Sequence, residues 1–168
     1  SEITVENTQI IAQTGWTTDE LAQAITLAQP LGAWDLATLL IGVNNQYRGR
    51  DVDSFDREFN ALLDRAMTAV ADRPERVQVL SIPDWGQTPF GAACGRDLIQ
   101  VSAEIDAYNQ AIVQRCSRRR IALLDVTVLT RRHIYDPRMH AEDGLHPSAA
   151  MYQLWAEALL CTGKFGRL

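Results

Sequence analysis

The run Asp35-Leu36-Ala37-Thr38-Leu39-Leu40-Ile41-Gly42-Val43-Asn44-Asn45 carries the clearest signal of fold class. From Asp35 to Val43 it is almost continuously apolar, the composition of a strand buried on both faces. Such strands belong to parallel sheets covered by helices. Working outward, residues 8–13 form a short apolar strand candidate. Residues 17–28 read as a helix, with Thr17 or Thr18 as its N-cap and Asp19 and Glu20 in its first turn. Pro30 and Gly32 end it. Downstream, Phe55, Phe59, Leu62, Leu63 and Met67 recur at helical spacing and predict a helix over 54–71. Residues 76–82 read as a second buried strand, ended by Pro83. The Gly- and Pro-rich run 84–96 reads as a loop. A long helix is predicted over 97–118, a strand over 121–126, irregular chain over 131–144 and a last helix over 147–160 with proline at its first position. The order β-α-β-α-β-α-β-loop-α predicts a parallel sheet with helices on both faces.

Size and composition fit one domain. The chain has 168 residues, 46% hydrophobic and 22% charged, enough for a real core. A net charge of -5 argues against nucleic acid or an anionic membrane surface as the main partner. The apolar runs are shorter than a membrane span, so no stable membrane insertion is expected. Cys94, Cys116 and Cys161 are odd in number and widely spaced, which suits reduced thiols. With no secretory signal in the sequence, a cytoplasmic location is expected.

The chemistry gathers where this topology puts it. Asp143-Gly144-Leu145-His146-Pro147-Ser148 follows the last strand, and ligands bind at the carboxyl ends of parallel strands. A carboxylate three residues before an imidazole, across a glycine turn, orients Nδ1 and leaves Nε2 free as a base. The same letters also spell an ordinary turn and a helix start. Asn44 follows this buried strand; its amide suits a developing oxyanion, although Asn at a strand end is also a turn former. Gly42 before it admits a close backbone approach. Gly15, in Thr14-Gly15-Trp16-Thr17-Thr18, offers a backbone N–H to the same oxyanion. Trp16, Tyr47 and Trp85 each lie just past a strand end, where they can wall a substrate pocket or simply pack loops. His133 and His140 with Asp136 and Asp143 match no metal-ligand spacing. Arg115 and Arg118–Arg120 read as a solvated helix C-terminus.

Three of these segments, in this order, resemble three of the four blocks of the SGNH hydrolases, the GDSL esterase/lipase family. The resemblance spans about residues 9–158. It implies a flavodoxin-like three-layer α/β/α fold and ester hydrolysis through an acyl-enzyme. His146 would be general base and then acid, Asp143 its orienting partner, and Gly15 and Asn44 the oxyanion hole. No metal or organic cofactor is implied, and the substrate is a small ester or acylated molecule. Asn45 stands where the family usually has Asp. The segment Ser81-Ile82-Pro83-Asp84-Trp85-Gly86 also resembles small bacterial members.

The fourth block, Gly-Asp-Ser, which carries the nucleophile, occurs nowhere in the chain. In the family it ends a first strand that lies inside the sheet, between the second and third. Residues 1–7 are too short for strand, turn and helix, which need roughly 40 residues. The first strand and helix are therefore expected to be missing, leaving unpaired backbone that self-association or a further segment would complete. A fragment of a longer protein, rearranged or partner strands, and a variant with another nucleophile are the three explanations. Among the serines only Ser81 and Ser148 fall near the expected site. Two functional classes follow, an ester hydrolase or a non-catalytic binding module on the same fold. A nucleotide-binding flavodoxin-like protein is the weaker third, since no glycine-rich phosphate loop is present.

Overall fold

A computed structural model describes residues 5–161. Three strands form one parallel sheet in the order β1 (Ala37–Leu39), β2 (Val77–Leu80), β3 (Ala122–Leu124). Ala37 pairs with Val77 and Leu39 with Val79, while Gln78 pairs with Ala122 and Leu80 with Leu124. The helices are α1 (Thr18–Leu27), α2 (Val43–Tyr47), α3 (Val52–Ala69), α4 (Pro89–Ala93), α5 (Leu98–Arg119), α6 (Val126–Arg132) and α7 (Ala149–Cys161). None is long and apolar enough to cross a membrane.

Alternation along the strands sorts side chains between the two faces. Leu39, Val77 and Val79 bury on one face beneath α3 and α5, in a core that includes Phe55, Phe59, Leu62, Leu63, Ile105, Tyr108 and Ile112. The Phe55 ring lies 4.5 Å from Tyr108 and 5.5 Å from Phe59. Arg115 and Arg119 of α5 reach Asp56 and Asp64 of α3, so half of the basic cluster ties two helices together rather than facing water. On the opposite face Leu80 and Leu124 pack with Met151 and Trp155 of α7. The result is the three-layer α/β/α arrangement expected from the sequence.

The expected fourth strand does not form. Residues 8–13 have no strand pairing and are mostly exposed, with Ile11 alone half-buried against the core. The edge of β1 away from β2 has no strand beside it among the described residues, and an isolated strand without a ladder has little to hold it. Strand β1 is also shorter than its apolar run, and not covered on both faces: Thr38 is exposed, and Leu40 beyond it is 41% exposed. Val43 and Val126 open helices instead of closing strands. Gly42, at φ 120°, turns the chain out of β1, and the Asp125 carboxylate accepts the Val128 N–H to cap α6. The Gly- and Pro-rich run after β2 holds α4, capped by the Thr88 hydroxyl. At the last helix, Pro147 precedes the helix, and Ser148 caps its first turn through the Met151 N–H.

Candidate active site

Asn44 and Tyr47 lie in α2 and Trp85 in a short turn, just past the carboxyl ends of β1 and β2. Asp143 and His146 come after α6, and Gly15 and Trp16 lie in the turn before α1, which follows no strand among the described residues. The loop after β1 is the most constrained. A Cβ on Gly42 would lie 2.6 Å from the Phe55 ring and 2.8 Å from Ile82, in a backbone region that side chains rarely adopt. Glycine there brings α2 down onto the core. In α2 the Asn44 side-chain N–H donates to the Trp16 carbonyl at 3.0 Å. That contact fixes the amide beside the Gly15–Trp16 turn and accounts for one of its two hydrogens.

The Gly15 segment is clamped from two sides. Arg48 donates to the Gly15 carbonyl at 2.7 Å and lies 3.4 Å from Glu20. Arg50 pairs with Asp19 at 2.6 Å. Hydrogen bonds from Arg50 and then Thr17 hold the Asp19 carboxyl down at about 2; the Thr17 backbone N–H, followed by its hydroxyl, lowers Glu20. Behind them, Asn45 accepts the Thr18 N–H at 3.1 Å and donates to the Thr18 hydroxyl at 2.6 Å, while that hydroxyl donates to Glu58. Because the Thr18 proton already points at a carboxylate, position 45 must donate. An amide can do so, and an ionised Asp cannot. This accounts physically for Asn45 where the resembling family carries Asp.

His146 and Asp143 meet as their spacing requires. Nδ1 of His146 lies 2.6 Å from Asp143 Oδ2, and the other carboxylate oxygen accepts the backbone N–H groups of Leu145 and His146 at 2.9 Å each. These contacts, the imidazole first, hold the Asp143 carboxyl at about 2. Both side chains are 51% exposed, and among the described residues Nε2 has no partner. Gly144, at φ 65°, lets the turn approach Pro89, and its carbonyl accepts the Phe90 N–H at 3.0 Å. The imidazole loop is thereby docked on α4.

The three aromatic candidates differ in setting. Tyr47 is 40% exposed and meets Trp85 edge-on, with ring centroids 5.2 Å apart. Trp85 is 4% exposed, donates to Gln46 at 2.7 Å and packs against Phe90. Trp16 is half-buried against the main core. Tyr47, Trp85, Phe90 and Gly144 thus form a continuous path of contacts from the Asn44 helix to the His146 loop. The two serines near the site are both engaged. The Ser81 hydroxyl is buried between Asp125 at 3.1 Å and Thr127 at 2.7 Å. That of Ser148 donates to the Arg138 carbonyl at 2.6 Å. Sequence reasoning missed the Arg48 and Arg50 clamps. The opposite charges at 19, 20, 48 and 50 are visible in the sequence, but only the fold brings them together.

The sequence profile of the GDSL-like lipase/acylhydrolase family matches residues 2–154. No curated protein sequence matches the chain. Among solved structures, the chain is similar to LAE5, described as an alpha/beta hydrolase enzyme from the metagenome of Lake Arreo, at TM-score 0.69 and 21% identity over 90% of this chain and 70% of that one. It is also similar to a lipase/acylhydrolase from Enterococcus faecalis, at TM-score 0.65 and 16% identity over 89% and 71%. The acetylxylan esterase Axe2 from Geobacillus stearothermophilus follows at 0.66 and 18% over 92% and 69%. At these identities the likeness is one of fold.

Proposed function

The chain belongs to the GDSL-like lipase/acylhydrolase family, and we propose that it provides the base and the oxyanion hole of a serine ester hydrolase. The observation that carries this is the 2.6 Å contact between His146 Nδ1 and Asp143, which turns an unpartnered Nε2 outward. In the reaction a serine hydroxyl gives its proton to Nε2 as its oxygen bonds to the ester carbonyl carbon. The carbonyl oxygen takes the negative charge and is met by the second Asn44 N–H and the Gly15 backbone N–H. The imidazolium then protonates the departing alcohol oxygen as the acyl-enzyme forms. Water repeats the sequence on the acyl-enzyme, releasing the acid and the serine. The Asp143 carboxylate holds the ring and stabilises the imidazolium. Trp16 and Tyr47 flank the bound ester, with Trp85 behind Tyr47.

The serine itself comes, in this proposal, from a strand–turn–helix segment outside these 168 residues. The strand adds to the open edge of β1, and the helix covers Thr38 and Leu40. Without that segment a second copy of the chain covers the same edge. The engagement of the Ser81 and Ser148 hydroxyls supports this reading over a serine from within. The competing reading is a binding module without hydrolysis. It draws on one observation, that among the described residues no serine hydroxyl meets His146. A serine-directed fluorophosphonate probe decides. Labelling only after a Gly-Asp-Ser strand–helix segment is joined or added supports the proposal. Stoichiometric labelling of Ser81 or Ser148 in the chain alone overturns the outside nucleophile. No labelling in either form leaves the binding module.

A further inference from the structure

We propose that Arg96 makes this site selective for esters whose acyl part carries a carboxylate. The proposal rests on the ester-hydrolase reading for where the ester carbonyl lies. Arg96, in the loop before α5, is exposed. Its guanidinium lies 4.3 Å over the Tyr47 ring and 5.5 Å from the Trp85 ring, and one N–H donates to the Tyr47 carbonyl at 3.1 Å. The ring contact and the Tyr47 carbonyl hold the guanidinium in place, and its other N–H groups have no partner among the described residues.

The neighbouring charges single this cation out. Arg48 and Arg50, on the same side of the molecule, are paired with Glu20 and Asp19. Arg96 has no ion pair among the described residues. The carboxylate next to it, Asp97, is turned into α5, where it accepts the Ile99 and Gln100 N–H groups. Glu104 is held by Gln46 and Gln100. An unpaired, oriented guanidinium in a chain of net charge -5 is a site for an anion. Its position sets which anion. Asn44 and Tyr47 stand three apart on α2, which places their side chains on one helix face about 5–6 Å apart. An ester carbonyl at the Asn44 amide therefore has the Tyr47 ring one helical turn away, with the Arg96 fork above it. A half-ester of a short dicarboxylic acid spans that distance, its methylenes on the Tyr47 ring and its free carboxylate on Arg96.

The test is a binding titration of the chain with monomethyl glutarate against dimethyl glutarate, followed by NMR at the Arg96 Nε–H and the Tyr47 ring. The half-ester is expected to bind about tenfold tighter, as for a charge-assisted pair. It should shift both signals and lose its advantage as salt rises. Arg96→Gln should equalise the two esters, and His146→Ala should leave the preference intact. Equal affinities in the unmodified chain, a preference that survives Arg96→Gln, or absence of binding by either ester would overturn the inference. A completed enzyme that fails to hydrolyse esters while the preference persists counts against the ester-hydrolase reading alone. One that hydrolyses them without the preference counts against Arg96 alone.

Discussion

At the β3 side of the sheet, Leu124 and Val126 are buried beneath Met151 and Trp155 of α7. At the β1 side, on the same face, Thr38 and Leu40 lie open and the strand edge is unpaired. The two sides carry different parts of the proposed reaction. His146 and Asp143 belong to the covered side, docked on α4 just ahead of α7. Asn44 and Gly15 belong to the open side, yet they too are tied down, by Gly42 against Phe55 and by the Arg48 and Arg50 clamps. Positioning these groups therefore depends on the α3–α5 core and on local clamps. It does not need the sheet to be closed at β1.

The largest test of this comparison is His146→Ala in the chain completed with its nucleophile segment. Hydrolysis of p-nitrophenyl acetate should fall by about 10⁴-fold, with the thermal unfolding midpoint unmoved. An unchanged kcat/KM would remove the base from the covered side altogether. Next in size is a paired stability measurement by urea unfolding. Phe59→Ala, beneath the sheet, should cost about 3–5 kcal/mol. Leu40→Lys, on the bare face, should change stability by under about 0.5 kcal/mol while abolishing self-association in sedimentation. Similar losses at the two positions would show that the β1 face is covered in solution by the chain itself.

Asn44→Ala should lower kcat by about 10²–10³, or about 2.7–4 kcal/mol, with KM little changed. A loss confined to KM would make Asn44 a residue that only binds. The smallest effect concerns pH. The Asp143 carboxyl titrates at about 2 rather than the ordinary 3.8. Its contribution to stability is therefore present above pH 3.8 and lost as pH falls through 2. Because the pair is half exposed, that loss is small and screened by salt. Carbon-13 NMR should find the Asp143 midpoint near 2, returning toward 3.8 in His146→Ala. A midpoint at 3.8 in the unmodified chain would mean that the pair does not hold in solution.

The four long helices are legible in the sequence because their signals are local, whereas the short α2, α4 and α6 are not. Thr17 caps α1, Asp97 caps α5, and the spacing of Phe55, Phe59 and Leu62 marks the buried stripe of α3. Strand ends were harder to read. An apolar run does not record where a chain leaves a sheet, so Val43 and Val126 looked like strand and are the first residues of helices. Residues 8–13 have strand composition, but a strand is a property of two neighbours, and no neighbour is there.

The fold class and the Asp143–His146 pair are legible in the residues alone. Both rest on short-range spacing: a period of hydrophobicity in one case, and three residues around a glycine turn in the other. That Asn45 must donate to Thr18, that Arg48 and Arg50 reach back to Glu20 and Asp19, and that Arg96 lies over Tyr47 with no ion pair among the described residues emerges from the packing of the chain. These contacts join residues some 27 to 49 positions apart. Side chains that distant along the chain meet only because packing brings the start of α1 and the segments after β1 and β2 to one end of the sheet, and no local pattern encodes which of them will touch.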